Sequence, residues 1–129
     1  MTLRKLNKSD YMDLSIVVPV YNEEESIIEL AGWIEKTCFS NNLEFEIIFI
    51  DDGSSDSSWD VITNLSKKNK FIKGLRFRRN YGKAAALHSG FAEAKGDVVI
   101  TMDSDLQDSP DEIPELVRMI NEGGYDLVS

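Results

Sequence analysis

The sequence predicts an α/β domain: a mainly parallel, Rossmann-like sheet covered by helices in three α/β/α layers. Three observations carry this. Short apolar, β-branched runs recur near residues 14–20, 45–50 and 97–102, the pattern of strands buried on both faces. Segments with apolar residues at helical spacing lie between them. The chain has 129 residues, 42% hydrophobic and 29% charged, which suits one soluble α/β unit.

The elements follow in order. Residues 1–13 read as an irregular lead-in, and 14–129 as the domain. After the first strand, Asn22 is placed to cap a helix with Glu25 three residues on. Ile27, Leu30, Ala31, Ile34 and Cys38 then form its apolar stripe. Residues 45–50 make the second strand. Asp51-Asp52-Gly53-Ser54-Ser55 is a turn, and the next helix carries Trp59, Ile62 and Leu65 on one side. Residues 71–77 read as a third strand, less apolar and nearer the edge. An Ala-rich helix is expected from about 81 to 95, ending at Gly96. Residues 97–102 form the fourth strand. Ser109-Pro110-Asp111-Glu112 has the composition of a helix start, with Ser109 as cap, Pro110 in the first position and Glu112 closing a capping box. Ile113, Leu116, Val117 and Ile120 supply that helix's stripe, and Gly123-Gly124 its stop. A further strand begins at 125–128, so the domain is expected to be truncated at its C-terminus, Ser129.

Composition removes several function classes. The net charge of −9 argues against a nucleic-acid binder, which carries a basic surplus. Residues 61–92 nevertheless lack acids and hold Lys67, Lys68, Lys70, Lys73, Arg76, Arg78, Arg79 and Lys83. A solvated helix end and strand edge is the favoured reading. The alternative is a basic surface for phosphates or an anionic membrane. The single cysteine, Cys38, allows no internal disulfide. The N-terminal residues lack a signal core, and no apolar run can span a bilayer. The expected location is cytoplasmic, at the membrane's cytoplasmic face where a longer protein supplies an anchor. The oligomeric state is left open.

In parallel sheets ligands sit beyond the carboxyl ends of the strands, so chemistry is sought there. Asp103, Asp105 and Gln107 follow the fourth strand. In an extended segment they would project to one side, offering a hard oxygen site for Mg²⁺ or Mn²⁺; solvated turn acids are the alternative. Asp51 and Asp52 end the second strand. They suit a turn or hydrogen bonds from a base or ribose, and both can hold, with one Asp shaping the turn and the other facing the ligand. Pro19, Tyr21 and Glu23 end the first strand, where Tyr21 could stack on a base and Glu23 bind ribose. Asn80-Tyr81-Gly82-Lys83 precedes a helix, and a helix N-terminus with a lysine is a reasonable phosphate site. The P-loop and Gly-x-Gly-x-x-Gly spacings are absent. His88 is expected to pack or cap, Trp33 and Trp59 to serve core or interface, and no zinc-type cluster exists.

Together these motifs resemble family 2 glycosyltransferases of the GT-A fold. Residues 15–24 look like that family's opening, residues 50–56 its second motif and Asp103-Ser104-Asp105 its Asp-x-Asp. Arg79 to Lys83, with Ala86-Leu87 and Gly90-Phe91, and residues 105–110 resemble the branch that loads sugars onto polyprenyl phosphates. The resemblance implies an inverting, metal-dependent transfer from a UDP- or GDP-type sugar donor. The implied acceptor is a polyprenyl phosphate; a saccharide acceptor, or a nucleotide-binding module without turnover, is the alternative. It implies that Pro19, Tyr21, Glu23, Ile50 and Asp52 hold the nucleoside with Asp51 nearby. Asp103 and Ser104 would approach ribose and diphosphate, Lys83 the phosphates, and Asp105 and Gln107 the metal. The family's acceptor-side motifs have no counterpart here. The catalytic residues on that side are expected beyond Ser129, so the chain reads as an N-terminal piece of a longer enzyme.

Overall fold

A computed structural model describes residues 12–123 and 127–128. Among these residues, five parallel strands form one sheet in the order β3-β2-β1-β4-β5: β1 Leu14–Val20, β2 Phe45–Asp51, β3 Ile72–Arg76, β4 Val98–Thr101 and β5 Leu127–Val128. Between them lie α1 Ile27–Ser40, α2 Ser58–Lys68, α3 Lys83–Glu93 and α4 Ile113–Gly123. Residues 12 and 13 already belong to the sheet's lower rim: Met12 O accepts from Asp97 N and Asp13 O from Val98 N, both at 3.0 Å. The rest of the expected lead-in lies outside the described residues. So does Ser129, the point past which acceptor-side residues are expected. The expected last strand is present as β5, paired through Leu127 and Val128 with Val99 and Ile100 of β4.

Because strand side chains alternate, β1 and β2 feed two separate cores. Ile16, Val18, Ile47 and Phe49 pack with α1, α2 and α4. Val17, Ile48 and Ile50 face Ala86, Leu87 and Phe91 of α3. The three expected layers are therefore present. β3 is an edge strand, which explains its lower apolar content. Burying each of the Val, Ile and Phe side chains fully is worth roughly 1.5–3 kcal/mol.

Helix starts differ from expectation. Asn22 does not cap α1, which begins after Ser26. Asn22 adopts a left-handed φ of 54°, a conformation asparagine tolerates. From there its Oδ1 accepts from Ser55 N (2.8 Å) and Asp56 N (3.2 Å) in the next loop. Ser109 likewise makes no side-chain cap; Pro110 opens a 3₁₀ turn that runs into α4. Helix α3 stops at Glu93 rather than at Gly96. Gly96 instead abuts β1, where a Cβ would lie 2.5 Å from the Leu14 carbonyl carbon.

A buried charge sits between β1 and β2. Glu46 is fully buried and pairs in register with Ser15. Its Oε2 accepts from Ser15 Oγ (2.6 Å) and Lys95 N (2.7 Å), while Lys73 Nζ lies 2.8 Å from Oε1. Burial alone would push its pKa up. The hydrogen bonds from Lys73, Ser15 and the Lys95 amide outweigh that and hold it below its ordinary 4.5.

A carboxyl with a lowered folded pKa adds stability above its ordinary value, and that stability is lost as pH falls through the folded one. Urea midpoints measured from neutral pH downward should fall below about pH 4.5, and Glu46→Gln should flatten that part of the profile. Lys73→Met, which leaves the buried carboxylate short of a donor, should cost about 1–3 kcal/mol at neutral pH.

Candidate functional site

The carboxyl ends of β1, β2 and β4 open on one rim. There a cavity of about 330 Å³ is lined by Pro19, Val20, Tyr21, Glu23, Asp52, Lys83, Asp103, Ser104 and Asp105. All of these but Val20 are candidates from the sequence. Pro19 is tolerated in a central strand for a directional reason. Val17 O accepts from Met102 N on the β4 side, and alternate residues of a parallel strand face the same neighbour. Pro19 thus faces β4, which pairs only as far as Val17 with Thr101; its missing N–H leaves no ladder bond unmade.

Each wall is tied to its neighbours. Asn22 N donates to Ser54 Oγ (2.9 Å) and Glu23 N to Ser58 Oγ (3.0 Å), fastening the loop after β1 to the loop after β2. Ser26 Oγ donates to Ser104 O at 2.5 Å in a buried contact, fastening it to the loop after β4. Lys83 Nζ lies 2.6 Å from Asp103 Oδ1, joining the start of α3 to that same loop. These ties link positions up to 78 residues apart, so no local pattern announces them.

Three expectations need correction. First, the segment after β4 is not extended. Asp103 N donates to Asp108 Oδ2 (3.0 Å), Gln107 N donates to Asp105 Oδ1 (3.1 Å), and Leu106 takes a left-handed φ of 65°. This compact turn breaks the alternation, so Asp103 and Asp105 line the cavity while Gln107 does not. Second, Ile50 and Asp51 do not line it either. Ile50 belongs to the core under α3. Asp51 is buried, its Oδ1 accepts from Ser54 N (3.1 Å), and Arg76 Nε lies 3.9 Å from its Oδ2. Third, the amides of Tyr81 and Gly82, expected to face a phosphate, donate to Asp52. Only the Lys83 side chain of that turn reaches the cavity.

The remaining candidates fall into place elsewhere. His88 is exposed on α3 rather than packed. Trp33 Nε1 donates to Asp111 Oδ1 (2.8 Å), so it serves the interface of α1 with the 3₁₀ turn. Trp59 packs against the core with Arg76 over its ring. Cys38 is buried, which pushes its thiol up to about 12 and leaves it unreactive. In the basic stretch, Lys73 and Lys83 are paired with acids and Arg79 stacks on Tyr81, while Lys67, Lys68 and Lys70 are exposed. The acceptor-side residues expected past Ser129 are not among the described residues, and the cavity walls all come from the segment between Pro19 and Asp105.

The electrostatics of the cavity centre on Lys83. Its pKa is raised, first by the hydrogen bond to Asp103 and then by the charges of Asp103, Asp108 and Asp105. An ammonium thus offsets part of the repulsion among these carboxylates. No group of three or more His, Cys, Asp or Glu placed to hold a metal occurs among the described residues. Two carboxylates at a cavity still fit Mg²⁺ or Mn²⁺, because such ions bind through one or two carboxylates plus water and substrate phosphates.

Gly53 shows how closely the loops are pressed together. Its φ is 74°, and a Cβ there would overlap the Arg79 carbonyl carbon and Asn80 N. Gly53→Ala should destabilise the domain by about 2–4 kcal/mol from strain and backbone overlap, read as a lowered thermal midpoint.

Solved structures share this architecture. Residues 1–349 of S. aureus TarS match at 28% identity and a TM-score of 0.71, over 86% of this chain and 33% of that one. The same protein has been solved with UDP and with UDP-GlcNAc. The mannosyltransferase PcManGT from Pyrobaculum calidifontis, solved with GDP-Man and Mn²⁺, matches at 22% identity and a TM-score of 0.73, over 85% of this chain and 32% of that one. The chain spans about a third of the length of these structures, and its fold is that of the GT-A glycosyltransferases. The family model for glycosyl transferase family 2 matches residues 15–129, and this chain, with its cavity at the strand ends, belongs to that family.

Proposed function

We propose that this domain binds the nucleotide-sugar donor of a divalent-metal-dependent, inverting glycosyltransferase whose acceptor is a polyprenyl phosphate. The observation that carries the reading is the cavity uniting Tyr21, Glu23, Lys83, Asp103, Ser104 and Asp105. TarS, at 28% identity, binds UDP and UDP-GlcNAc, which supports a nucleoside-diphosphate sugar here.

The residues divide the donor between them. Tyr21 is half exposed at the rim and offers a ring face for the base. Glu23 offers carboxylate oxygens to ribose hydroxyls. Asp103 and Asp105 would hold Mg²⁺ or Mn²⁺, and that ion, when bound, supplies positive charge to the diphosphate leaving group. Lys83 supplies a second cation within the same cavity. Asp52 holds the turn that carries Lys83. A phosphate acceptor is already ionised near neutral pH, so it places little demand on a general base. The Arg79 to Lys83 turn and the Leu106-Gln107 pair, which resemble the polyprenyl-phosphate branch, favour that acceptor.

Titration of this chain with UDP and Mn²⁺ by calorimetry should show metal-dependent binding. Asp105→Asn should weaken it by about tenfold or more, the scale of losing a charged ligand. Lys67→Ala, on the exposed end of α2, should change it less than twofold; equal losses would refute the metal assignment. For the acceptor, the whole protein should move label from a radioactive sugar donor into the lipid fraction of a polyprenyl-phosphate assay. Label appearing only in polysaccharide would replace that acceptor with a saccharide.

A further inference from the structure

We propose that Ser26 is a positioning residue: its hydroxyl clamps the carbonyl of Ser104 and so fixes how Asp103 and Asp105 are presented to the cavity. This deepens the donor-binding reading above and rests on it. Ser26 does not line the cavity; it acts through the residue that stands between the two carboxylates.

The clamp joins a rigid element to an irregular one. Ser26 immediately precedes α1, whose Ile27, Leu30, Ala31 and Ile34 are buried in the larger core. Leu30 N donates to Ser26 O at 3.0 Å, so the serine is fixed to the helix's first turn. A serine at that position ordinarily caps the helix. Ser26 makes no side-chain cap; its hydroxyl goes to Ser104 O instead. Residues 103–109 lie between β4 and the 3₁₀ turn. The bonds from Asp103 N to Asp108 and from Gln107 N to Asp105 run inside that segment. They hold its shape but do not tie it to the sheet.

The ties that do reach outward are unequal. Leu106 packs against the larger core, but apolar contact has no direction. The Lys83 ammonium that meets Asp103 is 60% exposed and the carboxylate 46%, and such surface pairs contribute little. Ser26 and Ser104 are 8% and 6% exposed, and their bond is 2.5 Å long. A short, buried hydrogen bond is directional and faces little competition from water.

A hydroxyl carries one proton. Ser26 Oγ also lies 3.2 Å from Glu23 O and 3.3 Å from Glu23 Oε2, so the shorter contact to Ser104 takes the proton. Ser26 thus stands where the loop carrying Glu23 meets the loop carrying Asp103 and Asp105. Carboxylates that receive a metal must be held to within about 0.5 Å of their working geometry by the groups behind them. The Ser26 hydroxyl is such a group.

Ser26→Ala removes the donor and leaves the Ser104 carbonyl buried without it. The test is calorimetry with UDP and with uridine as probes, each in the presence of Mn²⁺. UDP should weaken about tenfold, the lower end of what losing a group behind a metal ligand costs, and uridine by less than about twofold. A merely structural serine would lower the thermal midpoint and leave both affinities of the folded protein where they were. Unchanged UDP affinity, or equal losses for UDP and uridine, would overturn the proposal.

Backbone ¹⁵N order parameters supply a readout that needs no nucleotide. In Ser26→Ala, residues 103–107 should fall from about 0.85 towards about 0.6, while the strands keep their values and so show that the variant is folded. Rigid values at 103–107 would overturn the clamp by themselves. Failure of the unsubstituted chain to bind UDP or uridine would overturn the metal-positioning role together with the donor reading. Lowered order parameters would then show that the clamp alone stands, as a constraint of the fold.

Discussion

The structure depends on the register of β1, the central strand of the parallel sheet. Leu14 to Val20 pairs with residues 45–51 of β2, and Leu14 to Val17 with residues 98–101 of β4. Parallel pairing sends three chain segments out of the sheet at the same edge. Because β4 stops before β1 does, a notch opens beside Pro19 and Val20. A one-residue slip would turn Val17 and Val18 to the wrong cores and would also carry Tyr21 and Glu23 away from Asp103. The packing that fixes the fold and the geometry that makes the cavity are therefore one constraint.

Around that notch the loops hold each other through polar groups, since each has too little apolar surface to pack alone. Asn22 reaches the loop after β2, Ser26 the loop after β4, Asp52 the turn before α3, and Lys83 closes the circuit on Asp103. Most of these bonds end on backbone amides or carbonyls, which satisfies groups that loop segments would otherwise leave unpaired. The circuit also carries charge. Asp52 sits against the amides before α3, where a helix favours an anion, whereas Asp103 and Asp105 look to the exposed ammonium of Lys83. The first carboxylate is compensated within the protein, and the other two are compensated only in part. That asymmetry is the ground for placing the proposed cation and phosphates at the second pair.

Much of this is legible in the sequence because burial writes itself in local patterns. Uniform apolar runs mark the strands, 3.6-residue stripes mark the helices, and the weaker run at 71–77 marks the edge. The acids and Tyr21 at strand ends identify the cavity wall. What escapes is non-local. Asn22 and Ser109 look like helix caps because their side chains suit caps, but Asn22 is drawn to amides over 30 residues away. An extended chain would place Gln107 beside Asp105, and a left-handed Leu106 defeats that alternation. Leucine has no local signal for that conformation. Asp51 and Asp52 read alike in sequence, yet alternation sends one beneath the loop and the other to the cavity.

Glu46 shows the same principle at the opposite end of the sheet. Its carboxylate, Ser15 Oγ, Lys95 N and Lys73 form a buried polar knot where β1, β2 and the segment after α3 meet. An apolar residue there would bury as well but would leave the Lys95 amide unpaired and the Ser15 hydroxyl without the acceptor for its proton, with only the bond from Gly96 N remaining. The knot thus fixes where α3 hands over to β4. That handover lies just before β4 begins, where Val98 pairs with Leu14. A buried charge thus holds β1, β2 and the entry to β4 together at the end of the sheet away from the cavity.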